Sequence, residues 1–110
     1  MPPYMPESAT EPEREAVDRM PGLVVLEFGA SWCPHCQAAQ PVLKAELDRR
    51  PRVAHFKIED GRGKVLGRTY GVKLWPNLVF LRDGRVLAQL ARPSDAELRK
   101  AFQLLDAPPQ

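Results

Sequence analysis

Cysteine, histidine and long apolar runs are all scarce in this chain of 110 residues. Only two cysteines and two histidines occur, so a disulfide-stapled scaffold is excluded. A tetrahedral zinc site would need all four as ligands. His35 lies between Cys33 and Cys36, which argues against such a site within one chain, so no metal is expected; a metal or cluster shared by two copies stays open. No apolar stretch approaches the roughly 20 residues that a membrane-spanning helix needs. Residues 1–15 lack the apolar centre of a secretory signal. A cytoplasmic protein is therefore expected, or a periplasmic one if a signal has been removed. Net charge is only +2, and the basic residues are scattered apart from Arg49, Arg50 and Arg52. Nucleic-acid binding would call for a basic stripe with interleaved aromatics, and aromatics make up 7% of the chain.

Apolar residues at 44% and charged residues at 27% fit one soluble globular domain with a single core. Proline is plentiful at 12, and six of these lie near the ends: Pro2, Pro3, Pro6, Pro12, Pro108 and Pro109. The ordered domain is expected at 10–106, with an irregular lead-in at 1–9 and a tail at 107–110. Ser8 or Thr10, each with a Glu three residues on, can cap a first helix with Ala16, Val17 and Met20 inward. Pro21-Gly22 stops it. Leu23–Phe28 reads as a central strand covered on both faces. A second helix is expected from Pro34 to about Arg49, with Ala38, Val42, Leu43 and Leu47 inward and Pro41 removing one of its backbone bonds. Val53–Ile58 reads as a strand and Lys64–Tyr70 as a short helix. Leu78–Leu81 and Val86–Leu90 flank Asp83-Gly84, a strong hairpin signal. Ser94 and Glu97 form a capping box for a last helix with Ala96, Leu98, Ala101, Phe102 and Leu105 inward. The order is α-β-α-β-α-β-β-α. The early strands, joined through helices, should pair in parallel, with an antiparallel hairpin at the end.

Both cysteines fall within Trp32-Cys33-Pro34-His35-Cys36, directly after the apolar strand. A Cys-x-x-Cys pair in that setting reads as a dithiol that cycles with a disulfide. Pro34 suits the first helical position. Cys33 then sits at a helix N-terminus, where unpaired N–H groups and the helix dipole favour a thiolate. Cys36 follows within the first turn, giving one attacking and one resolving sulfur. A purely structural disulfide would close too small a loop to constrain the unfolded chain.

This motif and its surroundings resemble the thioredoxin superfamily over residues 10–106. Glu27-Phe28-Gly29-Ala30-Ser31-Trp32-Cys33 resembles the family's active-site segment. Pro41 matches its helix-kinking proline. Tyr70-Gly71-Val72 followed by Trp75-Pro76-Asn77 resembles the segment bearing its cis-proline. The resemblance implies an α/β fold, a four-stranded mixed sheet flanked by helices. It makes Cys33 the exposed nucleophile and Cys36 the more buried resolving thiol. Pro76 would be cis and face the dithiol, with Trp32, Trp75 and Pro76 contacting substrate and Trp75 pairing with an extended substrate backbone. Glu27 matches the buried acid that exchanges protons with the resolving cysteine. Burial should raise its pKa and suit it to proton transfer near neutral pH. The electrons would be carried by the Cys33–Cys36 couple itself, with no added cofactor. Partners would be protein disulfides and, as electron donor, a reductase or a low-molecular-weight thiol. A monomer without membrane or nucleic-acid partners is expected.

Four departures from the family pattern bear on function. The usual acid at the Glu27 position is Asp. His55 stands near a lysine that faces this acid, so it either pairs with Glu27 or is an ordinary strand histidine. Trp75 is bulkier than the usual residue there and should narrow the groove. Reducing thioredoxins carry Gly-Pro between the cysteines, whereas Pro34-His35 is the pair of the DsbA type of disulfide oxidase. An imidazole donating to the Cys33 thiolate would make the couple more oxidising, by about 30 mV per pKa unit. A two-unit effect of about 60 mV falls short of the roughly 150 mV that separates thioredoxin from DsbA. From Cys36 to Trp75 there are only 39 positions, which leaves no room for the helical insertion of that oxidase. A thioredoxin-like reductase of protein disulfides is therefore the leading expectation. A disulfide oxidase or isomerase, or a peptide-binding chaperone module, is the alternative.

Overall fold

A computed structural model describes residues 11–108 of the protein. Its elements are α1 (Arg14–Asp18), β1 (Leu23–Gly29), α2 (Pro34–Asp48), β2 (Ala54–Glu59), α3 (Val65–Thr69), β3 (Asn77–Arg82), β4 (Arg85–Ala91) and α4 (Asp95–Leu104). They follow the order expected from the sequence. The four strands form one mixed sheet in the order β2-β1-β3-β4. β1 pairs in parallel with β2, as its helical connection requires. β3 also follows a helix, yet it pairs antiparallel with β1, because the stretch from Tyr70 to Pro76 turns the chain back before β3 begins.

β1 is apolar almost throughout because helices cover both faces of the sheet. Val25 packs with Val42 and Leu43 of α2 and with Leu98 and Phe102 of α4. Val24, Leu26 and Phe28 alternate to the other face and meet Val17 of α1 and Leu66 of α3. Each such large side chain, fully buried, contributes roughly 1.5–3 kcal/mol. The Phe80 and Phe102 rings meet edge to face at 5.1 Å, within the favoured range for aromatic pairs.

The larger residues of both expected helix faces turn inward, and one alanine in each does not. In α2 the inward residues are Cys36, Ala39, Val42, Leu43 and Glu46, while Ala38 is exposed. In α4 Ala96 is exposed, and Leu98, Ala101 and Phe102 point inward. In both helices an alanine adjacent to the apolar stripe is too small to fix which side of the stripe is buried. The α4 capping box is present, with Ser94 and Glu97 each bonded to the other's backbone. α1 starts at Arg14 after Glu13; the expected caps Ser8 and Thr10, like the other residues of the lead-in, lie outside the described residues.

The β3–β4 hairpin turns on Asp83 and Gly84, both with positive φ, as a two-residue primed turn demands. A Cβ on Gly84 would also sit 1.9 Å from the Asp18 carbonyl oxygen, so glycine is needed there twice over. At the other end of the sheet the register aligns Gly29 with Glu59, Phe28 with Asn77 and Asn77 with Ala91. The segments just beyond these positions therefore converge on one edge. They are Ala30–Cys33, Asp60–Lys64, Gly71–Pro76 and Arg92–Ser94, and they carry the candidate site.

Candidate functional site

Cys33 is the N-cap of α2, with extended backbone (φ −79, ψ 119) and Pro34 at the first helical position. Its Sγ accepts a hydrogen bond from the Cys36 backbone N–H at 3.2 Å. The cap role usually played by a Ser or Asp oxygen is thus taken by sulfur. The carbonyl of Cys33 accepts from Gln37 N at 3.0 Å, and its own N–H donates to Ala30 O. Both cysteines are in the free thiol form. The expectation of an exposed Cys33 is corrected: it is 4% exposed and Cys36 1% exposed, so Cys33 is only the more accessible of two buried sulfurs.

His35 does not donate to Cys33. It is exposed, and among the described residues no hydrogen bond joins it to the sulfur. At about 100° per residue, two helical steps carry it roughly 200° around the axis from Cys33. The donor at the sulfur is the helix backbone instead.

Trp75 packs against Ala30, Cys33 and Cys36. Its indole N–H donates to Asp60 Oδ2 at 2.9 Å, and its ring meets that of Trp32 edge to face at 5.5 Å. Trp32 is 67% exposed, so the two indoles form an apolar wall running from solvent to the dithiol. The Trp75–Pro76 peptide bond is cis, and Pro76 is buried. The two backbone groups of Trp75 differ in their partners. Its carbonyl already accepts from Arg92 Nε at 2.8 Å, whereas its N–H has no hydrogen bond among the described residues.

Glu27 is fully buried at 0% exposure and is held by side chains from two other elements. His55 Nε2 of β2 lies 2.9 Å from Oε1, so the open alternative for His55 resolves to pairing. Gln40 Nε2 of α2 donates to Oε2 at 2.8 Å and also to the Cys36 carbonyl at 2.8 Å. Lys57, opposite Glu27 in the sheet register, donates from Nζ to Gln40 Oε1 at 3.0 Å. Lys57, Gln40, Glu27 and His55 thus form one hydrogen-bonded chain beside the resolving cysteine.

This chain overturns the expected direction of the Glu27 pKa. Burial is the largest single influence and pushes the carboxyl up. The His55 and Gln40 hydrogen bonds, with the electrostatic pull of Lys57 and His55, outweigh it and hold the group below its ordinary 4.5. Glu27 is therefore a carboxylate at neutral pH.

Gln40, Asp60 and Arg92 were not apparent as site residues from the sequence. Gln40 had a usable signal, since it stands four residues after Cys36 and so shares its helix face. Asp60 and Arg92 had none, because each reaches Trp75 across a gap of 15 or 17 residues.

The thioredoxin family model matches residues 7–103 of the chain. Thioredoxin H2-1 of Oryza sativa subsp. japonica is 32% identical over 83 residues, which span 76% of this chain and 60% of that protein. The reduced form of thioredoxin 2 from Pseudomonas aeruginosa PAO1 superposes with a TM-score of 0.80 at 50% identity, covering 94% of each chain. The germline-specific thioredoxin Deadhead of Drosophila melanogaster superposes with a TM-score of 0.67 at 32% identity, over 83% of this chain and 86% of that one. With a Cys-x-x-Cys pair capping α2 and a four-stranded mixed sheet behind it, the chain belongs to the thioredoxin family, whose members are thiol–disulfide oxidoreductases.

Proposed function

We propose that this protein reduces disulfide bonds in protein substrates through a Cys33/Cys36 dithiol–disulfide cycle. The observation that carries this reading is the Cys33 sulfur, capping α2 and bonded to the Cys36 N–H. Helix-terminal N–H groups stabilise a thiolate, the attacking species. Cys33 thiolate attacks one sulfur of the substrate disulfide, whose bond breaks. A mixed disulfide forms and one substrate sulfur leaves as thiolate. Cys36 then gives up its proton to the Glu27 carboxylate and attacks the Cys33 sulfur. The second substrate thiolate leaves and the Cys33–Cys36 disulfide forms. Two electrons have passed to substrate, and an external dithiol or reductase restores the pair, with no further cofactor.

Among the described residues His35 makes no hydrogen bond to the sulfur, which favours reduction over the oxidase alternative, because the residue shared with DsbA does not act there as a donor. The Trp75 N–H, unbonded among the described residues, suits an acceptor on an extended substrate main chain. Among the described residues no helix is long and apolar enough to cross a membrane. A monomer in the cytoplasm fits this chemistry, since that compartment keeps dithiols reduced. The test is insulin reduction with dithiothreitol as the terminal reductant. Wild type should accelerate precipitation of the insulin B chain at least tenfold over dithiothreitol alone, and Cys33→Ser should abolish the gain. A wild-type rate equal to that of Cys33→Ser would remove the enzyme reading.

A further inference from the structure

Arg92 is the first residue after β4, and its backbone is left-handed, with φ +48. Long side chains seldom adopt that conformation. Two hydrogen bonds fix the residue there. Its N–H donates to the Pro76 carbonyl at 2.7 Å, and its Nε donates to the Trp75 carbonyl at 2.8 Å. The guanidinium is thereby tied to the residue whose indole packs on Cys33 and Cys36.

The rest of the guanidinium is unspent. Among the described residues no hydrogen bond or ion pair engages its Nη atoms, and the side chain is exposed. Arg14 and Arg50, by contrast, are paired with Asp18 and Asp106. Arg92 is anchored by its inner nitrogen and presents an open fork at the mouth of the site. A fork held in place loses little rotamer freedom on binding, and its geometry matches a carboxylate.

The surrounding charge is mixed, with basic residues among it. Lys73 and Arg62, in two of the segments that meet at this edge, are exposed. Asp60 and Glu97 accept from the Trp75 indole and the Ser94 backbone and stay charged, and Glu59 and Asp95 are further acids of this end of the sheet, but none of them is paired with the Arg92 fork among the described residues. The Trp75 carbonyl keeps one lone pair after accepting from Arg92 Nε, so the fork stands beside a main-chain position that a substrate can reach.

We infer that Arg92 is a specificity-determining residue that selects disulfide substrates carrying a carboxylate beside the reacting cysteine. This rests on the reductase reading above and narrows its substrate class to acidic peptides. The substrate carboxylate accepts from Nη1 and Nη2 while Nε keeps its bond to Trp75, so the Trp75 segment stays in place during the exchange.

The experiment measures kcat/KM for three synthetic peptide disulfides that differ only in having Glu, Gln or Lys on both sides of the cysteine. Wild type should favour the Glu peptide over the Gln peptide by about fivefold at low ionic strength, falling toward twofold in high salt. Arg92→Gln should bring that ratio to within twofold of one, and Arg92→Glu should shift the preference to the Lys peptide. A general loss of folding or reactivity would lower all three rates together and leave the ratios unchanged. Equal rates in wild type, or a Glu preference that survives Arg92→Gln, would overturn the inference while leaving the reductase reading intact. Failure of wild type to reduce any peptide above the dithiothreitol background would overturn both.

Discussion

Replacing His55 with leucine would measure what one hydrogen bond does for a buried charge in this fold. The wild-type contact is 2.9 Å long, between side chains that are 8% and 0% exposed. Leucine is apolar and of similar size, so packing changes little. What is lost is a hydrogen bond to a charged group, about 1.5–3 kcal/mol. Breaking a fully buried pair costs about 3–5 kcal/mol, but Gln40 still donates to Oε2 at 2.8 Å. We therefore expect a loss of about 2–3 kcal/mol at neutral pH. With a urea slope of about 1–1.5 kcal/mol per molar for a domain of this size, the midpoint should fall by about 2 M.

The pH dependence identifies the cause. In wild type the Glu27 carboxyl is held below its ordinary 4.5. Its contribution to stability is therefore present above the unfolded value and is lost as pH falls through the folded one. His55→Leu removes two of the influences that lower it, the hydrogen bond and the charge, and leaves burial in place. The folded pKa then rises, and the variant is penalised most where the wild-type group is ionised. The difference between the two proteins should be largest near pH 7 and shrink below about pH 4, where a protonated Glu27 no longer depends on that donor. A penalty under about 0.5 kcal/mol at pH 7, or one that is the same at both pH values, would refute this reasoning.

Gly67→Ala would place a Cβ 2.3 Å from Asp60 Oδ1, so the carboxylate must swing away from the Trp75 indole; we expect changed tryptophan emission and a loss of about 1–2 kcal/mol, and an unchanged spectrum would argue against the linkage. Ser94→Ala removes the acceptor for Glu97 N and should cost about 1 kcal/mol in urea denaturation, recovered by Ser94→Asp; no loss would mean the box is idle. Gln40→Glu should destabilise more than Gln40→Met at pH 7 and recover below about pH 4, as a second carboxylate beside Glu27 would require; the opposite order in chemical denaturation would count against Gln40 as the shared donor.

The parts of this molecule that sequence made legible are the ones settled by neighbours along the chain. Cys33-Pro34 announces a helix start, Asp83-Gly84 a primed turn, and Ser94 with Glu97 a capping box; each occurs where expected. Ala38 and Ala39 differ only in which way α2 is rotated, and that rotation is set by Leu43 and Cys36 packing on strands far away in sequence. The antiparallel entry of β3 depends on how the stretch from Tyr70 to Pro76 folds back. The charge state of Glu27 was misjudged for a related reason. Burial is visible in Val25-Leu26-Glu27-Phe28 alone, whereas the donors that overcome it arrive from α2 and β2.

Gln40 shows why those donors act together. A glutamine amide has two N–H donors and one carbonyl acceptor. Here both donors act, toward Glu27 and the Cys36 carbonyl, and the acceptor receives Lys57. His55 cannot take this place, since it approaches the other carboxylate oxygen from β2. A carboxylate at position 40 would have nothing to donate, and an apolar residue would leave the Lys57 ammonium facing Glu27 without its bridge. The carboxylate beside the resolving cysteine is thus kept ionised by His55 and, with it, by an amide from the dithiol's own helix, and the second of these joins the charge state of Glu27 to the position of Cys36.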